Sequence, residues 1–294
     1  MKKFLFLASI VMLGVLFSSC GDKKVFKCIP DTADVVVVVS PDKNFSEMVD
    51  KKALEEVFDE VGMRGSERDL MMKLVEDPKS MGLNLSKKMA AWMEVDKNVD
   101  PRRGGVVIRV SKADALRNAI QDMKDKDFFE FSEIIQQDGF SYVYPFKDDK
   151  EAILGWNNDV MLLLFSDRDN LTASDLNTAF TRDKNTSVLA NKDFNDFKKN
   201  LKNINVWVKS DKFFAEVDDV PEVKEFKESA NLDFKDNYLH FHLTVNKKEL
   251  NMEVKVNRNE SMQNVDQMKL LNAYKKLREM ERKRYSRYYE DYNY

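Results

Sequence analysis

Tyr238-Leu239-His240-Phe241-His242-Leu243-Thr244-Val245 and Leu250-Asn251-Met252-Glu253-Val254-Lys255-Val256 form the two halves of one hairpin, and their reading decides the fold. Each alternates apolar and polar residues, the period of two expected of a strand whose two faces meet different surroundings. Pairing positions whose numbers sum to 495 sets every apolar residue opposite an apolar one, with His242 facing Glu253 and His240 facing Lys255. The apolar face is expected in the core, with Phe241 as its anchor, and the histidine face in solvent. Two histidines two apart, beside Glu253, have a spacing that can hold a metal, yet no third strong ligand is evident. A solvated cross-strand pair is therefore expected, with no metal and no other cofactor.

Outward from the hairpin, the chain alternates strands and helices. Val35 to Val39 is an uninterrupted apolar run, which reads as a strand buried on both faces. Helical spacing over 46–61 ends at Gly62, and Ser66 opens a second helix with Leu70, Met71, Leu74 and Val75 as its stripe. Strands are expected at 88–95 and 105–110, a helix from Ser111 to Met123, and another helix near 128–136. Strands near 140–146, 151–156 and 160–166 follow, the last two joined through Asn157-Asn158-Asp159, residues that tolerate left-handed backbone. Short helices near 172–180 and 191–200, a strand at 204–208 and a helical segment at 220–229 lead back to the hairpin. Val38 to Phe45 resembles Trp207 to Phe214 in pattern: strand, polar break, then phenylalanine. The expected class is α+β, a mainly antiparallel sheet packed with helices, arranged as two related lobes at 25–185 and 186–260 with a long C-terminal helix at 261–294.

Composition narrows the chemistry. The 48 Lys and Arg against 51 Asp and Glu give a net charge of -3, without the electropositive field that nucleic-acid binding requires. All nine glycines lie at or before Gly155, so the second half has no glycine-rich phosphate cradle. Two histidines leave little material for nucleophilic triads, and paired carboxylates are too numerous to single out. Trp92, Trp156 and Trp207 lie in expected strands, where packing is a commoner role than sugar stacking.

The N-terminus indicates the compartment. Lys2 and Lys3 precede an apolar stretch from Phe4 to Phe17, too short to span a ~30 Å hydrocarbon core, so 1–19 reads as a signal peptide. Ser18-Ser19-Cys20 closes the stretch and resembles the lipobox of bacterial lipoproteins, with serine before the cysteine as in Bacteroidota. That resemblance implies that Cys20 is the lipidated (palmitate-bearing) first mature residue, with 20–24 as a short linker. Loss of Lys2 and Lys3 would then take the net charge from -3 to -5. Asp22 is followed by Lys23 and Lys24 rather than by an acidic cluster resembling a surface-export tag. The expectation is an outer-membrane cell-envelope protein on the periplasmic face in preference to the cell surface. Cys28 is then the sole remaining thiol, expected as a small apolar packing residue.

Ile29-Pro30 through Ala33 with the valine run, Gly82-Leu83-Asn84-Leu85-Ser86-Lys87, Leu154 to Asp159, and Leu189 to Phe197 followed by Asn205-Val206-Trp207-Val208 together resemble a family of Bacteroidota lipoproteins classed as a domain of unknown function. The resemblance implies an envelope lipoprotein and supplies no catalytic residues.

The C-terminus carries the most distinctive composition. From Lys269 to Arg287 eight Lys or Arg stand against two Glu, and the last 21 residues hold six of the nine tyrosines. Leu270, Leu271, Tyr274 and Leu277 form a stripe that ends near Met280. The residues of this segment expected to meet an acidic envelope protein or anionic head groups are Lys275, Lys276, Arg278, Arg282, Lys283, Arg284, Tyr285, Arg287, Tyr288 and Tyr289. The sequence thus points to a lipid-anchored, non-enzymatic binding or scaffolding protein. A periplasmic lipoprotein holding a lipid or small envelope ligand between sheet and helices is the alternative, and an envelope hydrolase the third reading. An internal apolar cavity would favour the ligand binder, and a conspicuous exposed patch the interaction role.

Overall fold

A computed structural model describes residues 23–41, 59, 65–126, 130–147, 149–212, 224, 235–245, 249–259 and 263. The described elements are α1 (Lys23–Lys27), β1 (Val35–Val39), α2 (Ser66–Glu76), β2 (Met89–Val95), β3 (Pro101–Arg109), α3 (Ala113–Asp125), β4 (Ile135–Gln137), β5 (Phe140–Val143), β6 (Ala152–Trp156), β7 (Val160–Ser166), α4 (Ala173–Thr181), α5 (Lys192–Phe197), β8 (Ile204–Lys209), β9 (Tyr238–Val245) and β10 (Leu250–Asn257). All ten strands join one sheet in the order β10-β9-β8-β1-β2-β3-β7-β6-β5-β4. Every pairing is antiparallel. The hairpin register is the expected one, Leu250 opposite Val245 through Asn257 opposite Tyr238.

The expected fold class is corrected on three counts. The two lobes are replaced by a single continuous sheet, because β1 and β8, each expected to begin its own lobe, pair with one another at its centre. The helices are short, the longest described one being the 13-residue α3, so the sheet dominates. No long C-terminal helix is seen among the described residues; 264–294, with the Lys275 to Tyr289 candidates, lie outside them, as do Cys20 and the expected helices at 46–61 (Asp59 apart) and 220–229 (Lys224 apart).

The repeated pattern at Val38 and Trp207 has a geometric counterpart within that sheet. Val37 faces Val206 across the antiparallel boundary, so a half-turn about this pair exchanges β1-β2-β3 with β8-β9-β10. Hydrogen bonds obey the same exchange. Lys209 N–H donates to the Asp34 carbonyl at 2.7 Å and Ser40 N–H to the Asn203 carbonyl at 2.8 Å. The Asp34 carboxylate accepts from Val95 N–H at 2.9 Å, and the Asn203 side chain accepts from Val245 N–H at 2.8 Å. Each of these side chains ties the start of a central strand to the end of its neighbour, satisfying a backbone donor that the ladder leaves over.

Two cores flank the sheet. On one face Val36, Val38, Trp92, Val107, Leu164, Ile153 and Trp207 meet Val25 and Phe26 of α1, Leu176 of α4, and Phe194 and Phe197 of α5. Fully burying a side chain of this size stabilises the fold by about 1.5–3 kcal/mol. On the other face Val106, Ile108, Leu163 and Trp156 meet Leu116 and Ile120 of α3 and the loop residues Leu83 and Leu85. Gly82 permits that loop. Its φ is +77°, and a Cβ there would lie 2.4 Å from the Leu116 nitrogen and the Lys112 oxygen. All three tryptophans are buried in strands, as expected.

Two local expectations change. Residues 135–137 form β4 rather than a helix, because Gly139, at φ +85°, turns the chain into a hairpin with β5. The turn at 157–159 needs no left-handed residue. The Asn157 side chain instead accepts from Asp159 N–H at 2.8 Å and Val160 N–H at 2.9 Å.

Candidate functional site

The hairpin keeps its register and reverses its expected burial. His240 and His242 are only 1% and 4% exposed, whereas Leu250, Met252, Val254 and Val256 are 69%, 69%, 48% and 48% exposed. Alternation reports that two faces differ, and not which of them is covered. A polar face is buried at small cost when each polar atom finds a partner.

Those partners come from α5 and β8. Asn191 caps α5 by accepting from Phe194 N–H at 3.0 Å, and this fixes Asp193 in the first turn, over the sheet. His240 Nε2 donates to Asp193 Oδ1 at 2.6 Å, and Trp207 Nε1 donates to the same oxygen at 2.8 Å. Asn257 Nδ2 donates to the other oxygen. His242 Nδ1 donates to Asn205 Oδ1 at 2.8 Å, while Asn205 Nδ2 donates to the carbonyls of Val38 and Lys202 at 3.1 and 2.8 Å. The Phe197 ring lies 5.2 Å from each imidazole, stacked on His242 and edge-on to His240.

The electrostatics match a satisfied network. Burial pushes the Asp193 pKa up, but the hydrogen bonds from His240, Asn257 and Trp207 together outweigh it and hold the carboxyl below its ordinary 3.8. Burial, assisted by the neighbouring His240, lowers His242 from 6.5. Among the described residues no group of three His, Cys, Asp or Glu is placed to hold a metal ion. Chemically the cluster clasps α5 to the far strands of the sheet. Asp193, Asn205 and Asn257 are the members that sequence reasoning missed. The one available signal is that Asn205 and Trp207 alternate on one strand as His240 and His242 do on another.

Cys28 packs as expected, buried, with its thiol 3.4 Å from the Lys24 carbonyl. Burial pushes it up to about 11 against the opposing pull of Arg182, Lys27 and Arg109, so it is no nucleophile at neutral pH. An open cleft of about 390 Å³ separates α2 from α3, lined by Asp69, Lys73, Asn118, Asp122 and Lys126 together with Met81 and small side chains. Its walls suit water and ions better than an acyl chain.

The exposed apolar row lies on β10, at the margin of the sheet. Leu250, Met252, Val254 and Val256 share one face with Leu239, Phe241, Leu243 and Val245 of β9, all partly exposed. Among the described residues no strand pairs with the outer edge of β10, so an apolar row and an unfilled hydrogen-bonding edge coincide. Within the described residues no helix is long and apolar enough to cross a membrane.

No curated protein and no solved structure matches the chain. One family model does, over residues 28–288, from the thiol under α1 through the whole sheet, and by that match the chain belongs to the family described as domain of unknown function DUF4836.

Proposed function

We propose that this protein is a lipid-anchored cell-envelope component with a non-catalytic binding or scaffolding role, held through Cys20 at the periplasmic face of the outer membrane. The anchor reading is supported by the charged start, the short apolar stretch and the small residues before Cys20. The binding role is carried by one observation, the coincidence on β10 of four exposed large apolar side chains with a strand edge that no described strand pairs. Such an edge is normally blunted by charge, proline or a bulge; β10 has no proline, and its two charges, Glu253 and Lys255, alternate away from the apolar row. A strand that keeps eight residues of edge beside an apolar row is suited to a polypeptide partner that extends the sheet, backbone bonds giving affinity and side-chain contacts giving specificity. The basic, tyrosine-rich residues between Lys275 and Tyr289 offer a second contact to an acidic partner or to anionic head groups.

Two measurements test this. Replacing Cys20 with Ala releases the protein from the membrane fraction or leaves it unprocessed; normal processing with full membrane retention refutes lipidation. A photo-crosslinker at Met252 in the full chain captures a partner polypeptide that one at Gln121 on α3 does not, and Val254→Lys abolishes the adduct while leaving the melting temperature unchanged. Equal capture at both positions would sink the β10 assignment.

A further inference from the structure

We infer that the rim of the sheet where the chain enters the fold is the membrane-facing surface, and that it takes anionic phospholipid head groups. This rests on the reading of Cys20 as the lipid anchor and adds to it an orientation and a ligand chemistry.

Chain geometry comes first. Three residue steps separate Cys20 from Lys23, where α1 begins. At ~3.3–3.6 Å per extended residue this is a reach of about 10 Å. Nor is α1 a loose arm beyond that reach. Val25 and Phe26 are 0% and 1% exposed, the Phe26 ring stands edge-on to Phe194 at 5.4 Å, and Lys24 is paired with Asp159. The body therefore hangs from a fixed point close to the bilayer, and the surface around that point faces it.

The register identifies that surface. Asp159 sits in the turn between β6 and β7, and its carbonyl accepts from Val110 N–H, just ahead of Lys112. Asn84 N–H donates to the Arg109 carbonyl, and the Asn84 carbonyl accepts from Lys87 N–H, which brings Lys87 and Lys88 to the same end. Across the sheet, Met89 pairs with Val39 and Val39 with Ile204, which places Lys202 on that end too. The rim thus carries Lys23, Lys24, Lys87, Lys88, Lys112 and Lys202, against Asp114, Asp138, Glu249 at the start of β10, and the Asp159 already held by Lys24. Lys23, Lys112 and Lys202 are exposed and make no ion pair among the described residues.

The chain's net charge of -3, or -5 without Lys2 and Lys3, means that an anionic bilayer repels the molecule as a whole. The orientation of least repulsion puts the lysine rim against the lipid. The tether's reach of about 10 Å matches the screening length of ~8–10 Å at ordinary salt, so the anchor holds these lysines inside the surface field.

The test uses the full processed protein on phosphatidylcholine vesicles with and without phosphatidylglycerol. A fluorophore is placed at Asn158→Cys on the rim or at Asp167→Cys at the opposite end, and head-group spin-labelled lipid is the quencher. The expected result is quenching at 158 that increases with phosphatidylglycerol, declines with salt, and exceeds quenching at 167. Changing Lys23, Lys112 and Lys202 together to Gln reduces the phosphatidylglycerol-dependent part at least fivefold, since a lysine near the surface contributes roughly that factor. Equal quenching at both positions, or quenching at 158 indifferent to phosphatidylglycerol and to the triple substitution, overturns the inference. The mass of the N-terminal peptide reads the anchor separately. An unmodified Cys20 refutes the anchor, while the signal at 158 still decides whether the lysine rim meets anionic head groups.

Discussion

Asp193→Ala removes the acceptor that three donors share. His240 Nε2 and Trp207 Nε1 both point at Oδ1, and Asn257 Nδ2 at Oδ2. Trp207 and His240 are 0% and 1% exposed, so water cannot replace the lost acceptor for either without opening the packing around Phe197. A buried donor left without a partner costs about 1–3 kcal/mol. Two such donors and a third nearer the surface give a loss of about 3–5 kcal/mol, a large share of the ~5–15 kcal/mol that holds a typical domain. In a chain of this length about 1 kcal/mol moves the melting temperature by ~2–4 °C, so a fall of roughly 10 °C is expected. Thermal melts by circular dichroism, with urea midpoints at unchanged slope, read the effect. Asp193→Asn keeps an oxygen for His240 and Trp207 and costs less than half as much. Combining Asp193→Ala with His240→Ala loses less than the sum of the two single changes, by about 0.5–3 kcal/mol. An Asp193→Ala variant within ~0.5 kcal/mol of the parent, the range of ordinary surface changes, would refute the clasp.

The inverted burial of the hairpin makes a paired prediction. Phe194→Ala, at a ring 0% exposed, costs about 3–5 kcal/mol, whereas Phe241→Ala, at a partly exposed ring, costs less than half of that; equal losses would return Phe241 to the core. Acidification is also expected to destabilise the fold. His242 titrates below 6.5 when folded, so its contribution is complete above that value and is lost as the pH falls through the folded value, because the unfolded chain takes up the proton first. Asp193 behaves likewise below its ordinary 3.8. Urea midpoints should therefore fall from about pH 7.5 to about pH 5, and His242→Gln should flatten that slope; a midpoint rising on acidification contradicts the burial of His242.

Local pattern was sufficient for the strands. Nine of the ten are written in alternation or in unbroken apolar runs, β4 with its Ile135-Gln136-Gln137 being the exception, and the 238–256 hairpin even states its register, because a slip by one residue would turn every side chain to the wrong face. Asn157 likewise marks a turn, although its side chain makes that turn by accepting backbone N–H bonds and not by left-handed backbone. What a segment cannot state is which distant segment covers it. His240 and His242 looked solvated because their partners, Asp193 and Asn205, lie 47 and 37 residues away, on elements whose own sequences give no sign of where they pack. Val254 looked buried because it is apolar, although its place on the last strand of the sheet leaves it 48% exposed. The same limit turned two expected lobes into one sheet. The similarity of the segments at Val38 and Trp207 was visible in the chain, but their antiparallel pairing through Val37 and Val206 depends on two strands that are far apart in sequence finding each other. Periodicity and turn chemistry act over a few residues and are therefore determined by the sequence alone. Which face is covered, and which strand ends at an open edge, are long-range choices that only the tertiary structure makes.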